Sequence, residues 1–530
     1  MIHAAAEAPA ASAVPAIDLK GLDSFGLSSG SGVSAAEEAF RQGVAFLWGF
    51  NHAAAAASFR TAQEADPSCS LCFWGESYAL GPNLNDGMHE ENEARALETA
   101  RKALALSRTP KERLLAAAVV ARYDPAIGDR APRDGAFAEA MATAANRLPE
   151  EPNVLVIRAD AMMNLQPWDY WEADGVTPKG EAAEILSVLE RAMALAPDHP
   201  AALHLFIHAV EASANPGRAE EAADRLRGAV PMAGHLFHMP AHIYNRIGRL
   251  ADSVAVNTDA VAADELFLAS AQGEASALYR FGYYPHNLHF LLVAAQMAGL
   301  RDEALEAAGK LASVTSEDVS RDLAWVQAIS SAPFTAHAQF SDPETILALP
   351  KPEGNFPFVE AHWHYARGTG HALRGEVDAA RAELSVIEWI LAEDDLSGLE
   401  AQFLPARDVL GIAQHVLKAR IAQAEGDWTE AEHHLVEAIR LEDTVAYMEP
   451  PYWYYPVRQT LGAVRLQAGN RAGARSAFKA ALDQQPNNAW ALWGLWQVEK
   501  AARDHWAKEE AEDAFRRAWL GTGEPTLDRL

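Results

Sequence analysis

The chain has 530 residues, of which 73 are acidic and 44 are basic, so its formal charge is −29 near pH 7. A field of that sign repels phosphate backbones and anionic lipid, and we therefore expect no nucleic-acid partner. Ala, Leu, Glu and Arg recur throughout while β-branched runs are scarce, a composition that favours helices. No apolar run reaches the roughly 18–20 residues that would cross a bilayer, so the sequence predicts no membrane span.

The opening segment, MIHAAAEAPAASAVPAIDL, lacks the charged and apolar regions of an intact signal peptide. Its Ala, Pro and Ser content predicts a disordered leader over residues 1–30, or the first residues of an exported protein whose signal has been removed. These alternatives correspond to two locations, the cytoplasm and the bacterial periplasm or cell envelope. The composition of the leader favours the envelope.

Only two cysteines occur, Cys69 and Cys72, so the chain has no disulfide framework. They stand at the start of a predicted helix, in the segment DPSCSLCFWGESYAL. Three roles remain open for this pair: an oxidised disulfide, two metal ligands, or two small residues that pack near Trp74.

Segments in the middle of the chain repeat one another. APDHPAALHLFIH begins at Ala196, and the similar VPMAGHLFHMPAH begins 34 residues later, at Val230. Further along, a glycine separates two helical patterns in RIGRLADSV, MAGLRDEAL and AEGDWTEAE. Such a glycine suits the left-handed C-cap that ends a first helix. The spacing therefore predicts pairs of helices repeated along the chain.

The 34-residue period, the helix pairs and the Trp-Gly pairs at 74–75 and 493–494 resemble the tetratricopeptide repeat (TPR). The resemblance covers most of residues 35–520. It implies an all-α, TPR-like superhelical solenoid of roughly ten or eleven helical hairpins with inserted loops. We expect helix over more than about two-thirds of the chain, since the pattern nowhere changes to strand alternation.

The same resemblance implies how the chain is divided. After the leader we expect a single solenoid over residues 31–520, with central His-bearing repeats at 197–375 and a C-terminal tail at 521–530. The segment HMPAHI at 238–243 is also similar to bacterial TPR proteins that carry HMPxHI-like segments.

Histidines recur at one position of the predicted repeat. Counting back thirteen residues from four of the glycines that end a first helix reaches a histidine each time, at 204, 235, 286 and 362. Helical spacing adds further histidines to the same faces. In TPR proteins these offsets face a concave groove, so the resemblance implies one inner wall that carries the metal-ligand candidates His204, His208, His235, His238, His242, His286 and His289.

Imidazoles that face one space lower one another's pKa, and neutral imidazoles at i,i+3 and i,i+4 suit a metal ion. Histidine clusters without cysteines or many carboxylates suit copper, zinc, nickel or non-haem iron. We favour copper, with zinc or iron as alternatives, at one or two ions per chain, because the ligand type resembles the helix-borne HxxxH ligands of coupled dicopper proteins. Glu211, three residues after His208, is the candidate catalytic base or a further ligand. Pro240 predicts that the helix carrying His238 and His242 is kinked, or begins there.

Aromatic residues precede several predicted first helices and form a candidate substrate-binding wall. The residues singled out for it are Tyr283, Tyr284, His362, Trp453 and Tyr455. The segment LQPWDYWEADG, which contains Trp168 and Trp171, is a candidate lid.

These features predict a metal-binding TPR protein that takes a small-molecule or peptide ligand in its groove. The favoured function is a metal-dependent oxidoreductase or hydrolase acting on a small, possibly aromatic substrate. The alternatives are a metal carrier and a peptide- or protein-binding scaffold without catalysis. TPR scaffolds usually place Lys, Arg or Asn on the inner face, and here those positions carry His. The sequence leaves the oligomeric state open.

Overall fold

A computed structural model describes residues 21–230, 233–271, 275–500 and 505–530. Helix makes up 73% of the structure. Within the described ranges there is no β-strand, and only two isolated bridges occur, Asn83 with Asp86 and Trp171 with Pro178. The prediction of an all-α, TPR-like solenoid of helical hairpins is confirmed. None of the described helices is both long and apolar enough to span a bilayer.

The chain forms two compact units. The first contains residues 1–243 and 259–279, and the second contains residues 244–258 and 280–530. The predicted division into a leader, a single solenoid over 31–520 and a tail stays a prediction.

Helices of the first unit pack as successive pairs, α1 with α2, α3 with α4, α5 with α6, α7 with α8 and α9 with α10. Short 3-10 turns occur at Leu22–Phe25, Pro125–Ile127 and Pro216–Ala219. The helices are α1 (Ser34–Trp48), α2 (His52–Ala65), α3 (Ser70–Ala79), α4 (Glu90–Leu106), α5 (Pro110–Tyr123), α6 (Arg130–Arg147), α7 (Pro152–Met163), α8 (Ala182–Leu195), α9 (Pro200–Glu211), α10 (Glu220–Leu226) and α11 (Gly234–His238).

Two helices, α12 (Pro240–Arg246) and α13 (Leu250–Ser270), contain residues of both units, and a π-helical turn covers Tyr279–Tyr283. The second unit repeats the pairing, for example α14 with α15 and α22 with α23, and it ends in a 3-10 turn at Leu527–Arg529. Its helices are α14 (Tyr284–Ala298), α15 (Arg301–Val314), α16 (Glu317–Asp322), α17 (Ala324–Phe340), α18 (Pro343–Leu347), α19 (Pro357–Leu373), α20 (Val377–Glu393), α21 (Ser397–Glu400), α22 (Ala406–Glu425), α23 (Trp428–Glu442), α24 (Val457–Gln467), α25 (Arg471–Gln484), α26 (Ala489–Lys500) and α27 (His505–Ala518).

The Trp-Gly pairs of the sequence have a packing role. A Cβ atom on Gly75 of α3 would lie 2.5 Å from the ring of Phe59 on α2, and one on Gly43 of α1 would lie 2.8 Å from the same ring. Gly494 and Gly462 stand in the same relation to Phe478 in the second unit, at 2.3 and 2.6 Å. Glycine thus lets two first helices close on the aromatic ring of the second helix between them.

Both ends of the described chain pack against a unit. Phe25 is buried, and its carbonyl oxygen accepts a hydrogen bond of 2.9 Å from Nδ2 of Asn153. Residues 1–20 of the predicted leader lie outside the described residues. In the tail, Leu530 is buried, and its oxygen accepts a hydrogen bond from the guanidinium of Arg420 on α22.

Cys69 and Cys72 form a disulfide. Both are buried, and Sγ of Cys69 also caps the start of α3 by accepting from the Cys72 amide at 3.1 Å. Of the three roles that the sequence left open, the structure shows the disulfide.

Candidate metal centre

Helix α9 presents three polar side chains on one face. His204, His208 and Glu211 are spaced i, i+4 and i+7, so they follow one another along the helix. All three are buried, as is every residue of α9. Pro200 begins the helix, and the ring of His199 caps it by accepting from the amide of Ala202 at 3.4 Å. The sequence therefore fixes where α9 starts and which residues share this face.

The second source of ligands is a pair of short helices. His235 and His238 lie on α11, α12 begins at Pro240, and His242 lies on its first turn. The predicted interruption at Pro240 is confirmed, because α11 ends at His238 and Met239 joins it to the proline. The three histidines are buried, with exposed fractions of 3%, 0% and 1%.

Glu211 contacts one histidine on α9 and one on α12. Its Oε1 lies 2.7 Å from Nδ1 of His208, and its Oε2 lies 2.5 Å from Nδ1 of His242. A carboxylate only accepts, so both imidazoles donate their Nδ1–H to it. In a neutral imidazole the other nitrogen then carries a lone pair, so Nε2 is the atom of each ring that could bind a metal ion.

Four of the histidines have Nε2 atoms that lie close together in two pairs. Nε2 of His204 is 3.1 Å from Nε2 of His235, and Nε2 of His238 is 2.7 Å from Nε2 of His242. Two imidazoles bound to one ion at about 2.0–2.1 Å have nitrogens roughly 3 Å apart, so these separations suit shared coordination. They also suit a hydrogen bond between two neutral rings.

Two triads in this unit each offer three ligand atoms within 4.8 Å of one another. The first is His204, His208 and His235, and the second is His208, Glu211 and His242. Within the described part of the chain, Nε2 of the buried His208 has no hydrogen-bond partner. An orphaned lone pair at the point shared by both triads is what a bound cation would satisfy.

Burial favours the neutral form of three of these imidazoles. It lowers the pKa of His204 and His235 well below the usual value, and the neighbouring histidines act in the same direction. Burial also lowers the pKa of His208, although Glu211 opposes the shift. Neutral imidazole is the form that binds metal, so burial favours the ligand state of His204, His208 and His235 near neutral pH.

Phe50 is a neighbour of the site that the sequence did not reveal. Its ring centroid lies 4.7 Å from that of His204 and 5.1 Å from that of His235, and it stacks on His208 at 5.9 Å with an interplanar angle of 8°. Phe50 is buried and has a φ of +55°, a backbone conformation that is uncommon for a bulky residue. Such a residue is held by its surroundings, but nothing in WGFNH distinguishes it beforehand.

The candidate lid, residues 165–175, lies over α9. Trp168 places the edge of its ring on His208, with centroids 5.1 Å apart, and its Nε1 donates to the Leu84 carbonyl at 3.0 Å. Nε1 of Trp171 donates to the carbonyl of Ala209 on α9 at 2.9 Å. The segment thus contacts His208 and the backbone of α9, while its role as a lid stays a prediction.

The other predicted ligands and wall residues belong to the second unit. His286 and His289 lie on α14, where His289 is buried and its pKa is lowered by burial to about 3. His362 on α19 is buried, and its Nδ1 donates to the Phe358 carbonyl at 2.9 Å. A metal role for His286 and His289 stays a prediction.

The aromatic candidates are buried or partly buried. Tyr283 ends the π-helical turn and Tyr284 begins α14, and both are buried. Trp453 and Tyr455 contact each other, with ring centroids 5.5 Å apart. A substrate-binding role for these residues and for His362 stays a prediction.

No protein-family model matches the chain, and neither does any curated protein. Among solved structures it is similar to a human IFIT1 dimer with PPP-AAAA, at 13% identity over 94% of each chain with a TM-score of 0.31. It is also similar to Cut9 in the APC/C hetero-tetramer Cut9-Hcn1, at 13% identity over 91% of this chain and 90% of that one, with a TM-score of 0.26. It is similar to yeast Tom70 at 14% identity over 85% of this chain and 95% of that one, with a TM-score of 0.25. TM-scores this low give no further evidence for the fold, which is described from the observed helices alone.

Proposed function

We propose that the first unit binds a transition-metal ion through the imidazoles of α9, α11 and α12, and that the protein is a metal-dependent enzyme. The proposed ligands are drawn from His204, His208, His235, His238 and His242. Glu211 is proposed as the residue that orients two of them. The catalytic role predicted for Glu211 stays untested, but both its oxygens accept from imidazoles, which favours orientation over proton transfer.

The observation that carries the proposal is the double contact of Glu211. A core that merely tolerated histidines would satisfy each ring with the nearest backbone carbonyl, as His362 does with Phe358. Here one buried carboxylate takes the Nδ1–H of two rings from different helices. Carboxylate–histidine pairs of this kind orient metal ligands and raise their basicity.

The donor set favours copper over zinc or iron. All five candidate ligands are imidazoles, which suit copper, zinc, iron and nickel, and affinity at such sites generally peaks at Cu²⁺. The only two cysteines are joined to each other, so they supply no thiolate in this state. A disulfide also persists best in an oxidising compartment, which supports the proposed location in the bacterial envelope.

The surroundings of the site suit a small substrate, including one with an aromatic ring. Phe50 and Trp168 place apolar rings against the imidazoles, and such rings bind another ring by offset or edge contacts. A copper ion would supply one-electron chemistry here, and a zinc ion would supply an activated water. The chain itself contributes buried imidazole ligands, two of which are oriented by Glu211.

Elemental analysis of the purified full-length chain tests the proposal. We expect at least one copper, zinc or iron ion per chain, either as isolated or after incubation with metal and desalting. The paired variant His208→Ala/His242→Ala should lose that ion, and the exposed His505→Ala should keep it, because its ring is 76% exposed. If wild-type protein refuses every one of these metals at micromolar concentration and binds a peptide instead, the scaffold alternative replaces this proposal.

A further inference from the structure

Trp168 occupies a backbone position that favours glycine. The turn that contains it, residues 166–169, is closed by a hydrogen bond of 3.2 Å from the Asp169 amide to the Gln166 carbonyl. Pro167 is the second residue of this turn, and Trp168, the third, has a φ of +64°. This is the pattern of a type II turn, whose third residue is usually Gly or Asn because a Cβ atom is strained there. A tryptophan at this position indicates that contacts of its side chain outweigh the strain.

The indole of Trp168 makes two contacts beside the proposed metal centre. Its ring meets that of the buried His208 at an interplanar angle of 87°, with centroids 5.1 Å apart, and its Nε1 donates to the Leu84 carbonyl at 3.0 Å. Phe50 stacks on the same imidazole, but it is 3% exposed, whereas Trp168 is 37% exposed. Of these two rings, Trp168 is therefore the one that solvent reaches.

The chain on either side of the turn is held independently of the indole. The side chain of Gln166 donates to the Lys179 carbonyl at 3.0 Å and accepts from the Glu181 amide at 2.9 Å. Tyr170 is buried, and its carbonyl accepts from the Lys179 amide at 3.0 Å. Rotation about the side-chain bonds of Trp168 can thus move the indole into solvent while these anchors stay in place.

The space that the indole fills defines what could replace it. A replacement needs a flat apolar ring, because aromatic rings meet an imidazole favourably at right angles. It also needs an N–H or O–H donor, since the Leu84 carbonyl would otherwise lose its partner. A negative charge is disfavoured, because the Glu211 carboxylate lies 2.7 Å from the other side of this contact, at Nδ1 of His208.

We propose that the indole of Trp168 fills the subsite for an aromatic ring of the substrate, and that a neutral ring with an N–H or O–H donor, of the class of indoles and phenols, displaces it. The bound ring then lies against His208 and donates to the Leu84 carbonyl. The part of this subsite in a reaction rests on the proposed function. Its occupation by a ring does not, so metal-free protein tests it.

Fluorine NMR of the full-length, metal-free protein labelled with 5-fluorotryptophan tests the displacement, with unlabelled indole as the probe. The signal that is absent from the spectrum of Trp168→Gly belongs to Trp168. We expect indole to move this signal saturably, while the signal of the exposed Trp389, assigned with Trp389→Phe, stays in place. Benzofuran has an oxygen in place of the N–H and cannot donate to the Leu84 carbonyl, so it should bind about tenfold more weakly.

The variant Trp168→Gly suits the positive φ and leaves the subsite open. It should bind indole at least about tenfold more tightly than wild type, because no tethered ring competes. Phe403 has the same φ of +64° and is 85% exposed, so Phe403→Gly is the matched control and should bind indole like wild type.

Three results would overturn the proposal: a Trp168 signal that millimolar indole leaves unmoved, equal indole affinity in wild type and Trp168→Gly, or equal binding of benzofuran and indole. Elemental analysis separates this outcome from that of the proposed function. A chain in which indole displaces Trp168 but which holds no metal would overturn the metal centre and keep the subsite. A chain that holds metal but leaves Trp168 in place with indole would do the reverse.

Discussion

Nδ1 of His242 lies 2.5 Å from Oε2 of Glu211, although the two residues are 31 positions apart and belong to different helices. The other carboxylate oxygen of Glu211, Oε1, lies 2.7 Å from Nδ1 of His208. One carboxylate therefore orients two imidazoles from different helices through their Nδ1 atoms.

Removing either bridged histidine should remove metal. We expect His208→Ala or His242→Ala to lose at least one metal equivalent per chain, measured by mass spectrometry of the desalted protein. The fold should change little by circular dichroism, since stability in a repeat protein is spread over neighbouring repeats. His364→Ala and His371→Ala alter rings that pair with Glu383 and Glu376, and they should keep full metal content.

Changing Glu211 should weaken metal binding without removing a ligand. Glu211→Gln keeps the size of the side chain, but its amide nitrogen cannot accept the second Nδ1–H, so one ring loses its orientation. We expect metal affinity to fall about 10–100-fold, as is common when an orienting partner is removed. Competition with a chelator of known affinity measures this. Unchanged affinity in Glu211→Gln would mean that the bridge has no part in metal binding.

The covering tryptophan should control how fast metal leaves. Trp168 is 37% exposed, contacts His208 and is anchored through Leu84. Trp168→Ala removes both contacts, so we expect faster transfer of metal to an excess of chelator and nearly unchanged metal content at equilibrium. Transfer rates from stopped-flow absorbance test this. Trp389→Ala, a change on an exposed helix surface, is the matched control and should leave the rate as it is.

Buried neutral histidines should make the protein less stable in acid. Burial lowers the pKa of His362 to about 4, whereas the unfolded chain has the ordinary value of 6.5. Between these values the unfolded state binds the extra proton, so stability is full above pH 6.5 and falls with pH below it. This residue alone contributes a slope of about 1.4 kcal/mol per pH unit.

The variant His362→Gln isolates that contribution. Its free energy of unfolding in urea, compared with wild type at several pH values between 6 and 4.5, should depend less steeply on pH by about that slope. His505→Gln, whose ring is exposed, should follow the wild-type curve. Parallel curves for wild type and His362→Gln would show that this imidazole titrates normally.

Replacing a glycine that faces Phe59 by a larger residue should destabilise the protein. Gly75→Ala places a methyl group 2.5 Å from the Phe59 ring, and overpacking of this kind costs about 1–3 kcal/mol. Gly309 lies within α15 with no neighbouring atom in reach of a Cβ, so Gly309→Ala should be neutral or stabilising. Chemical denaturation of both variants measures the difference, and an equal loss of stability in the two would contradict this packing role.

Local sequence pattern was sufficient to predict the helices and the helix faces on which the candidate ligands lie. The 34-residue period predicted the hairpins, and i,i+4 spacing placed His204 and His208 on one face of α9, where the structure has them. Pro240 predicted the interruption before α12. These inferences succeed because helix formation, capping and facing depend on residues a few positions apart.

Contacts between distant segments were decided only by tertiary packing. No spacing rule reveals that Glu211 reaches His242 or that Phe50 stacks on His208. The grouping of seven histidines into one ligand set stays a prediction. The helical period fixes the direction in which a side chain leaves its own helix. The atoms that it meets depend on how the helices pack, which is set by the fit of many side chains at once.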